Sequence, residues 1–452
     1  MHKTMSALAA LSLSVPATAV IAQSADHADI ALKNDTIAWD FVEGLTTEVG
    51  PRQGGTEAET RGRDWSVKWL KANGFANVAD EPFMMDTWVR GAEMAEITAP
   101  FPQPFHVTAL GGSTSTGPDG ITAEVVMFRT TADLQAAPEG SLTGKIAYIS
   151  HSMTPTQDGS QYGFAGPARW VGASMAAKKG AVASVIKSVG TDYHRNPHTG
   201  GTAVIDGMIP AGALSLPDAA NLERMFERAG GKPITMKLVL TPQQLGQTES
   251  GNVVGEIVGR DPSLPPVLLA CHLDSWDLGT GAVDDGAGCG IIAAAARHAS
   301  MAARPLRTIR VLFAGAEEVG LWGSKAYSEA HINEPIAVGL ESDFGADRIY
   351  QISTNFGESN PALAARLAAA VARFGVAPSA SVATGGADLN IVRDQKGAII
   401  DLQQDGTRYF DLHHTPDDTL DKIDPVQLRQ NVAVWTAVVQ VLANEPGPIK
   451  GE

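Results

Sequence analysis

Short, continuous apolar runs alternate with helical stretches through the second half of the chain. Such runs are typical of strands that are buried on both faces of a largely parallel sheet, with helices packed above and below it. The pattern therefore predicts an α/β domain with three layers, α/β/α, around a mostly parallel central sheet. The predicted strands are 267–271, 309–313, 336–340 and 398–402, and the predicted helices are 286–298, 321–330 and 361–374.

Near the start of the chain, apolar residues recur instead at helical spacing. Phe41 and Leu45 mark one amphipathic helix, and Trp65 and Trp69 mark a second, both within residues 33–75. We expect the two tryptophans to pack in the core.

A second, mixed α/β module is predicted between residues 118 and 245, inserted into the main domain. The preceding stretch, 100–118, is rich in Pro, Gly, Ser and Thr and has the composition of a domain boundary or linker. The main domain would then consist of residues 23–117 and 246–445, with 446–452 as a loose tail. Within the module, the predicted strands are 144–149, 182–186 and 209–216, and the predicted helices are 167–179 and 217–229.

The N-terminus has the pattern of a secretory signal. A charged start is followed by an apolar stretch that ends in small residues at position 22. We therefore exclude residues 1–22 from the fold and expect a secreted or periplasmic protein. No later segment stays apolar for the roughly 20 residues that a membrane span requires.

Charge and cysteine content narrow the class of protein further. The 452 residues include 34 Lys and Arg against 50 Asp and Glu, a formal charge of −16, which disfavours binding to nucleic acid or anionic lipid. Two cysteines are too few for a disulfide scaffold. Whether Cys271 and Cys289 pair stays open from the residues alone, and we favour two buried thiols.

Acidic side chains and a histidine follow three of the predicted strands. The first strand is followed by His272 and Asp274, the second by Glu317 and Glu318, and the third by Asp343. Ligands of open α/β sheets gather outside the carboxyl ends of the strands, so these side chains are expected to converge on one crevice. A single His-x-Asp carries little weight, but three strands that end in this way are hard to obtain by chance.

Two further segments fit the same crevice. Asp284 and Asp285 lie in a Gly-rich turn that opens a helix, where a carboxylate can bridge two cations. Alone, this turn would be read as an ordinary helix cap. His413 and His414 supply imidazoles from a loop near the C-terminus, and alone they would be read as solvent-exposed.

The full ordered set of motifs resembles the co-catalytic zinc peptidases of clan MH, and within that clan the carboxypeptidase Q branch with its secreted bacterial relatives. The resemblance covers nearly the whole chain after residue 22, and it implies that the 118–245 module is similar to a protease-associated domain. The motifs are His272-Leu273-Asp274-Ser275-Trp276-Asp277, Val283-Asp284-Asp285-Gly286, Glu317-Glu318, Glu341-Ser342-Asp343 and His413-His414 through Asp418-Thr419.

This resemblance implies a site for two zinc ions per chain. His272 and Asp343 would bind one ion, Glu318 and His414 the other, and Asp284 would bridge them. Each ion would then have three protein ligands and an open position, as in catalytic zinc sites.

The resemblance also implies roles for residues beside these ligands. Glu317 would be the general base, and Asp274 would accept the second N–H of the His272 imidazole and fix its tautomer. His413 would donate to the oxyanion, with a purely structural role as the alternative. The peptide bond between Asp284 and Asp285 would be cis.

The implied activity is that of a secreted zinc exopeptidase for small unblocked peptides, chiefly dipeptides. Zinc aminopeptidase, carboxypeptidase and amidase or aminoacylase activities stay open, because no motif encodes which peptide terminus is recognised. The aminoacylase branch is disfavoured because too few residues separate Asp343 from His413 for its dimerisation domain. A non-enzymatic binding protein is disfavoured because every ligand position is intact, and formation of a homodimer is left open.

Substrate contacts are expected from two regions outside the ligand set. Asp388, in a Gly-rich loop before the 398–402 strand, could hold a substrate's free ammonium group or could merely cap the following turn. The inserted module is expected to shape the substrate cleft without contributing catalytic groups. Its histidines, His151, His194 and His198, are read as surface loop residues.

Overall fold

The computed structural model describes residues 27–301 and 303–452. The predicted signal segment, 1–22, lies outside the described residues. The strands are β1 Ala76–Val89, β2 Glu93–Ala99, β3 Gln103–Phe105, β4 Val107–Ala109, β5 Ile121–Phe128, β6 Ile146–Ile149, β7 Ala183–Lys187, β8 Ala211–Leu214, β9 Thr235–Leu240, β10 Gln243–Ile257, β11 Val267–His272, β12 Ile309–Ala314, β13 Val338–Glu341, β14 Ile349–Thr354, β15 Ala377–Pro378 and β16 Ala398–Gln404.

Helices surround these strands, and short irregular turns follow Gly44, Gly281 and Thr419. The helices are α1 (27–34), α2 Ile37–Gly44, α3 Glu57–Ala72, α4 Thr131–Ala136, α5 Ser160–Ala165, α6 Pro167–Trp170, α7 Gly172–Lys178, α8 Leu216–Arg228, α9 Ala287–Met301, α10 Trp322–His331, α11 Pro361–Ala372, α12 Asn390–Asp394, α13 Tyr409–Leu412 and α14 Pro425–Ala443.

The first sheet has the order β1-β10-β12-β11-β13-β16-β14-β15. Its four central strands, from β12 to β16, pair in parallel, and antiparallel strands flank them on both sides. Leu269 and Cys271 of β11 pack against the layer of α2, α9 and α14, whereas Leu268 and Ala270 face the layer of α10 and α12. This three-layer arrangement confirms the predicted α/β/α fold with a parallel centre.

The second sheet has the order β3-β2-β9-β5-β6-β7-β8-β4. The chain enters and leaves it through β1 and β10, which pair with each other as a long antiparallel ribbon of the first sheet. The predicted linker at 100–118 is wrong, because β3 and β4 lie in it and pair with other strands of the second sheet. The strands of this sheet therefore span residues 93–240 and begin before the predicted boundary at 118.

The two cysteines form a disulfide, so the expectation of two buried thiols is wrong. Cys271 and Cys289 are joined with an S–S distance of 2.07 Å, and their Cα atoms lie 5.2 Å apart. The reason is topological: β11 ends at residue 272, the chain turns, and α9 packs back against the same strand. Two positions that are 18 residues apart are thereby brought side by side.

The predicted loose tail is also wrong, because the C-terminus is hydrogen-bonded to the body of the protein. The Glu452 backbone N–H donates to the carbonyl of Asn355 at 2.8 Å. Arg307, which is buried, donates to the carbonyl of Gly447 at 2.6 Å. The Asn360 side chain donates to the Lys450 carbonyl at 2.9 Å.

The sequence predicted two of the helices near the N-terminus but missed the helix at the C-terminus. The two predicted N-terminal helices are α2 and α3, and Phe41 contacts both Trp65 and Trp69 edge-on. The C-terminal helix α14 was not predicted, although most of its length is buried.

Within the described residues, the structure contains no helix with the length and apolarity needed to cross a bilayer.

Candidate active site

The three predicted strand ends meet at one edge of the first sheet. β11 ends at His272, the turn after β12 carries Glu317 and Glu318, and β13 leads into Asp343. Because β12, β11 and β13 are parallel neighbours, their carboxyl ends open onto the same crevice.

Two carboxylates surround the imidazole of His272. Its Nε2 atom lies 3.1 Å from Oδ1 of Asp284 and 3.4 Å from Oδ1 of Asp343. Both His272 and Asp284 are buried. These three side chains therefore present their ligand atoms to one point.

A matching group lies on the other side of Asp284. Nε2 of His414 is 2.8 Å from Oε2 of Glu318 and 3.3 Å from Oδ2 of Asp284. The two oxygens of Asp284 thus face the two imidazoles, one each. The structure brings together all five residues predicted as metal ligands.

Backbone hydrogen bonds hold the turn that carries Asp284. The Asp418 carboxylate accepts from the N–H groups of Val283, at 2.6 Å, and of Asp284, at 3.2 Å. The buried Arg52 guanidinium donates to the carbonyls of Thr280, at 2.6 Å, and Gly281, at 2.9 Å. The peptide bond between Asp284 and Asp285 is cis, as the resemblance implied. Sequence reasoning assigned no role to Arg52 or Asp418.

The electrostatics of the cluster fit bound cations. Burial and the carboxylates of Asp284 and Asp343 raise the pKa of Glu318 well above its usual range, against the influence of His272. Oδ2 of Asp284 is buried and makes no hydrogen bond within the described residues. Imidazole nitrogens and carboxylate oxygens are the donors that zinc takes in catalytic sites. The donor set of this cluster therefore fits zinc.

Glu317 lies beside the ligand cluster, and Asp274 lies between it and His272. The Glu317 N–H donates to Oδ1 of Asp274 at 2.9 Å. Nδ1 of His272 lies 3.0 Å from the backbone carbonyl of Asp274, but 3.6 Å from its carboxylate. The carbonyl is thus the nearer partner of this imidazole nitrogen, and the carboxylate also accepts from the Glu317 backbone.

His413 stacks on His414 at the same crevice. Their ring centroids are 3.5 Å apart, and Nδ1 of His413 is buried without a hydrogen bond within the described residues. Burial, and then the neighbouring His414, lowers the pKa of His413 well below its usual range. A neutral imidazole can donate a hydrogen bond from one nitrogen.

Asp388 is enclosed behind the crevice. Both of its carboxylate oxygens are buried without hydrogen bonds within the described residues, and only 1% of the residue is exposed. Burial, and then the nearby Glu317, raises the pKa of Asp388 well above its usual range. Its neighbour Ala387 lines the cavity over the cluster. The Asp388 N–H donates to Glu341 at 2.7 Å.

A cavity of about 580 Å³ covers the cluster, and residues of both sheet regions line it. Those from the second-sheet region are Tyr162, Arg169, Trp170, Gly201 and Thr202. Sequence reasoning assigned no role to these five residues, because nothing in their local pattern relates them to the ligands.

One of the module's histidines is not a surface residue, which corrects the prediction for His198. It is buried, with Nε2 2.9 Å from an Asp192 oxygen and Nδ1 2.7 Å from the carbonyl of His413. His198 therefore supports the loop that carries the two active-site histidines. The side chain of His194 is 63% exposed, as predicted.

The sequence matches known peptidases over most of its length. Residues 252–439 match the model of peptidase family M28. Carboxypeptidase Q of Bos taurus is 32% identical over 406 residues, which cover 88% of this chain and 84% of that protein. Carboxypeptidase Q of Homo sapiens is 32% identical over 410 residues, with the same coverage.

Solved structures give the same result. A peptidase M28 precursor from Shewanella amazonensis SB2B is 41% identical, with a TM-score of 0.92 over 96% of this chain and 98% of that chain. A zinc aminopeptidase from Bacillus subtilis is 19% identical, with a TM-score of 0.65 over 92% of this chain and 97% of that chain. At this lower identity, the second structure shows a shared fold alone.

Proposed function

The chain belongs to peptidase family M28 and is a metallopeptidase, and on that premise we propose that it is a secreted exopeptidase with two zinc ions, acting on small unblocked peptides, chiefly dipeptides. The position of Asp284 carries the proposal. Its two carboxylate oxygens face the Nε2 atoms of His272 and His414, one on each side. A carboxylate in this position can serve as a shared ligand of two cations.

The ligand sets follow from these contacts. His272 and Asp343 would hold one zinc ion, Glu318 and His414 would hold the other, and Asp284 would belong to both. When bound there, zinc would supply Lewis-acid chemistry, which lowers the pKa of a water molecule and polarises the scissile carbonyl.

Glu317 is the proposed general base. It lies beside the ligands without being one of them, and its backbone is fixed by Asp274. Burial raises the pKa of the Glu317 carboxyl group well above its usual range, and the Asp343 carboxylate adds to this effect against the influence of His272. A carboxylate with a raised proton affinity can take a proton from water and give it to the leaving amine.

His413 and Asp388 are proposed to act on the substrate. The His413 imidazole lines the cavity and would donate a hydrogen bond to the oxyanion. Asp388 has two buried carboxylate oxygens that make no hydrogen bond to any other described residue, which would suit the free ammonium group of a peptide.

The variant Glu317→Gln tests the proposal. Because Glu317 is not a ligand, this variant should keep the zinc content of the wild type and lose at least 100-fold in kcat on dipeptides, the low end for a lost general base, about 10²–10⁴-fold. Zinc is measured by metal analysis before and after chelator treatment, and turnover by release of free amino acids. Glu329→Gln, which removes an exposed carboxylate from α10, is the matched control and should change neither quantity.

Two results would contradict the proposal. A wild-type protein that binds no zinc, or hydrolyses no small peptide when loaded with zinc, would refute the function. Near-normal turnover by the Glu317→Gln variant would remove Glu317 from the chemistry.

A further inference from the structure

A loop of the second-sheet region runs alongside the loop that carries His414. It comprises residues 191–199, between β7 and β8, and we call it the clamp loop. Its first residue, Thr191, donates from its hydroxyl to the carboxylate of Asp411 at 2.6 Å. Its last residue, Thr199, donates from its N–H to the carbonyl of His414 at 3.0 Å. The clamp loop is therefore hydrogen-bonded to the loop of His414 at two separate places.

The backbone conformation of His414 needs such support. Its φ is 62°, in the left-handed region that residues with a side chain rarely adopt. The bond from Thr199 holds the peptide group that follows His414. The peptide group that precedes His414 contains the carbonyl of His413, which lies 2.7 Å from Nδ1 of His198. The clamp loop thus holds the peptide groups on both sides of His414.

The imidazole of His198 is itself fixed by its surroundings. Only 1% of the residue is exposed, and Nε2 lies 2.9 Å from the carboxylate of Asp192. Carbonyl and carboxylate oxygens accept hydrogen bonds, so both ring nitrogens are placed to donate. A Cβ at Gly190 would come within 2.3 Å of the ring, so the imidazole is closely packed. His198 therefore joins Asp192 to the loop of His414.

Thr199 also faces the imidazole of His414. Nδ1 of this ring lies 3.2 Å from the carbonyl oxygen of Thr199 and 3.2 Å from Nη1 of Arg169. A guanidinium only donates, so Arg169 favours the tautomer with the proton on Nε2, the atom that faces Glu318. A carbonyl only accepts, so Thr199 favours the proton on Nδ1 and leaves Nε2 free to bind a metal. The clamp loop therefore stabilises the tautomer that a metal ligand requires.

We propose that the clamp loop controls the affinity of one of the two proposed zinc sites, the site formed by Glu318 and His414. Through His198 and Thr199, it holds His414 in the backbone conformation and the tautomer of a ligand. The other proposed site is built on the ends of β11 and β13 in the first sheet. This inference rests on the proposed two-zinc function and adds to it that the second-sheet region completes one of the metal sites.

The test measures zinc dissociation constants by competition with a colorimetric chelator, one site at a time. The site of His414 remains when Asp343→Ala removes a ligand of the other site, and the other site remains in His414→Ala. Adding His198→Ala should raise the constant about tenfold or more in the Asp343→Ala protein, as is typical when the support of a ligand is lost, and less than about twofold in the His414→Ala protein. His106→Ala is the matched control, because it removes another histidine of the second-sheet region that is paired with an aspartate, Asp218, and it should change neither constant.

Two milder variants keep the test valid if His198→Ala does not fold. His198→Gln retains a side-chain N–H for the carbonyl of His413 and should recover part of the lost affinity. Asp192→Asn keeps the shape of the side chain but removes the charge that faces the imidazole, and it should weaken the same site about threefold or more. Circular dichroism and urea unfolding of the metal-free proteins show whether each variant is folded.

The pattern of losses separates this inference from a general effect on packing and from the proposed function. If His198→Ala weakens zinc binding equally at both sites, or at neither, the inference is overturned. A metal-free protein that loses stability while both zinc constants stay unchanged would overturn it as well, because His198 would then support the fold alone. A wild type that binds no zinc would refute the proposed function and this inference together. A wild type with two zinc ions and variants that bind zinc equally well would refute this inference alone.

Discussion

Glu59 should make the stability of the metal-free protein fall as pH rises, and Glu59→Gln should remove this effect. The residue is buried in α3; its carboxylate accepts from the N–H of Gly55, at 2.7 Å, and from the hydroxyl of Ser250, at 2.5 Å. Burial, and then the charge of Asp274, raises the pKa of Glu59 from 4.5 to about 8.

The sign follows from proton counting. Between its ordinary pKa and its pKa in the fold, Glu59 holds a proton in the native state and has lost it in the unfolded chain. The unfolded state binds fewer protons, so the free energy of unfolding decreases as pH rises through this interval and levels off above about pH 8. With these two pKa values, Glu59 lowers the free energy of unfolding by about 1.4 kcal/mol at about pH 5.5 and by about 4.6 kcal/mol at about pH 8.5. The change between the two pH values is about 3 kcal/mol.

The assay is urea unfolding of chelator-treated wild type and Glu59→Gln at these two pH values, followed by tryptophan fluorescence. All other titrating groups are common to both proteins, so they cancel in the difference between them. That difference should grow in favour of the variant by about 3 kcal/mol from the lower to the higher pH. Glu57→Gln, which removes an exposed carboxylate two residues away, should show no such growth. If the difference in the free energy of unfolding between Glu59→Gln and wild type is the same at both pH values, the inference that Glu59 holds a proton in the folded protein is refuted.

Two further variants test the metal bridge and the ammonium site. Asp284→Ala removes the oxygen pair shared by the two ligand sets, so zinc content by metal analysis should fall from two per chain toward one or none, and an unchanged content would reject the bridging role. Asp388→Asn should raise KM about tenfold for free dipeptides and leave N-acetylated ones unaffected, because a charged hydrogen bond contributes about 1–3 kcal/mol. Equal effects of Asp388→Asn on both substrates would indicate a structural role for its loop instead.

Most of the proposed ligands could be predicted because they follow a feature that is local in the sequence. His272 and Asp343 come directly after buried strands, and an apolar run that ends in a charged residue is visible without knowledge of the fold. Parallel strands then bring their carboxyl ends together by topology alone. The link from His414 to the same crevice came from the resemblance, since a histidine pair in a loop has no such local signature.

The disulfide is an example of a contact that the local sequence pattern does not predict. The apolar run up to Cys271 predicts a strand, and the apolar stretch that includes Cys289 predicts a helix, but neither states that the helix packs back against that strand. This depends on the path of the turn at Asp284, which Arg52 and Asp418 hold from distant parts of the chain. Long-range hydrogen bonds of this kind have no counterpart in a local spacing rule.

Arg169 shows the same dependence on the fold, because it lines the cavity beside a residue that is distant in the sequence. An arginine on a short helix usually pairs with a nearby carboxylate, and only the folded arrangement shows that this one faces His414, 245 positions away. The residues proposed as metal ligands come from strand ends of the first sheet, from the turn before α9 and from a C-terminal loop, whereas Arg169 comes from the second-sheet region. Substitutions in that region can therefore alter the wall of the cavity without changing the residues that we propose to hold the metal.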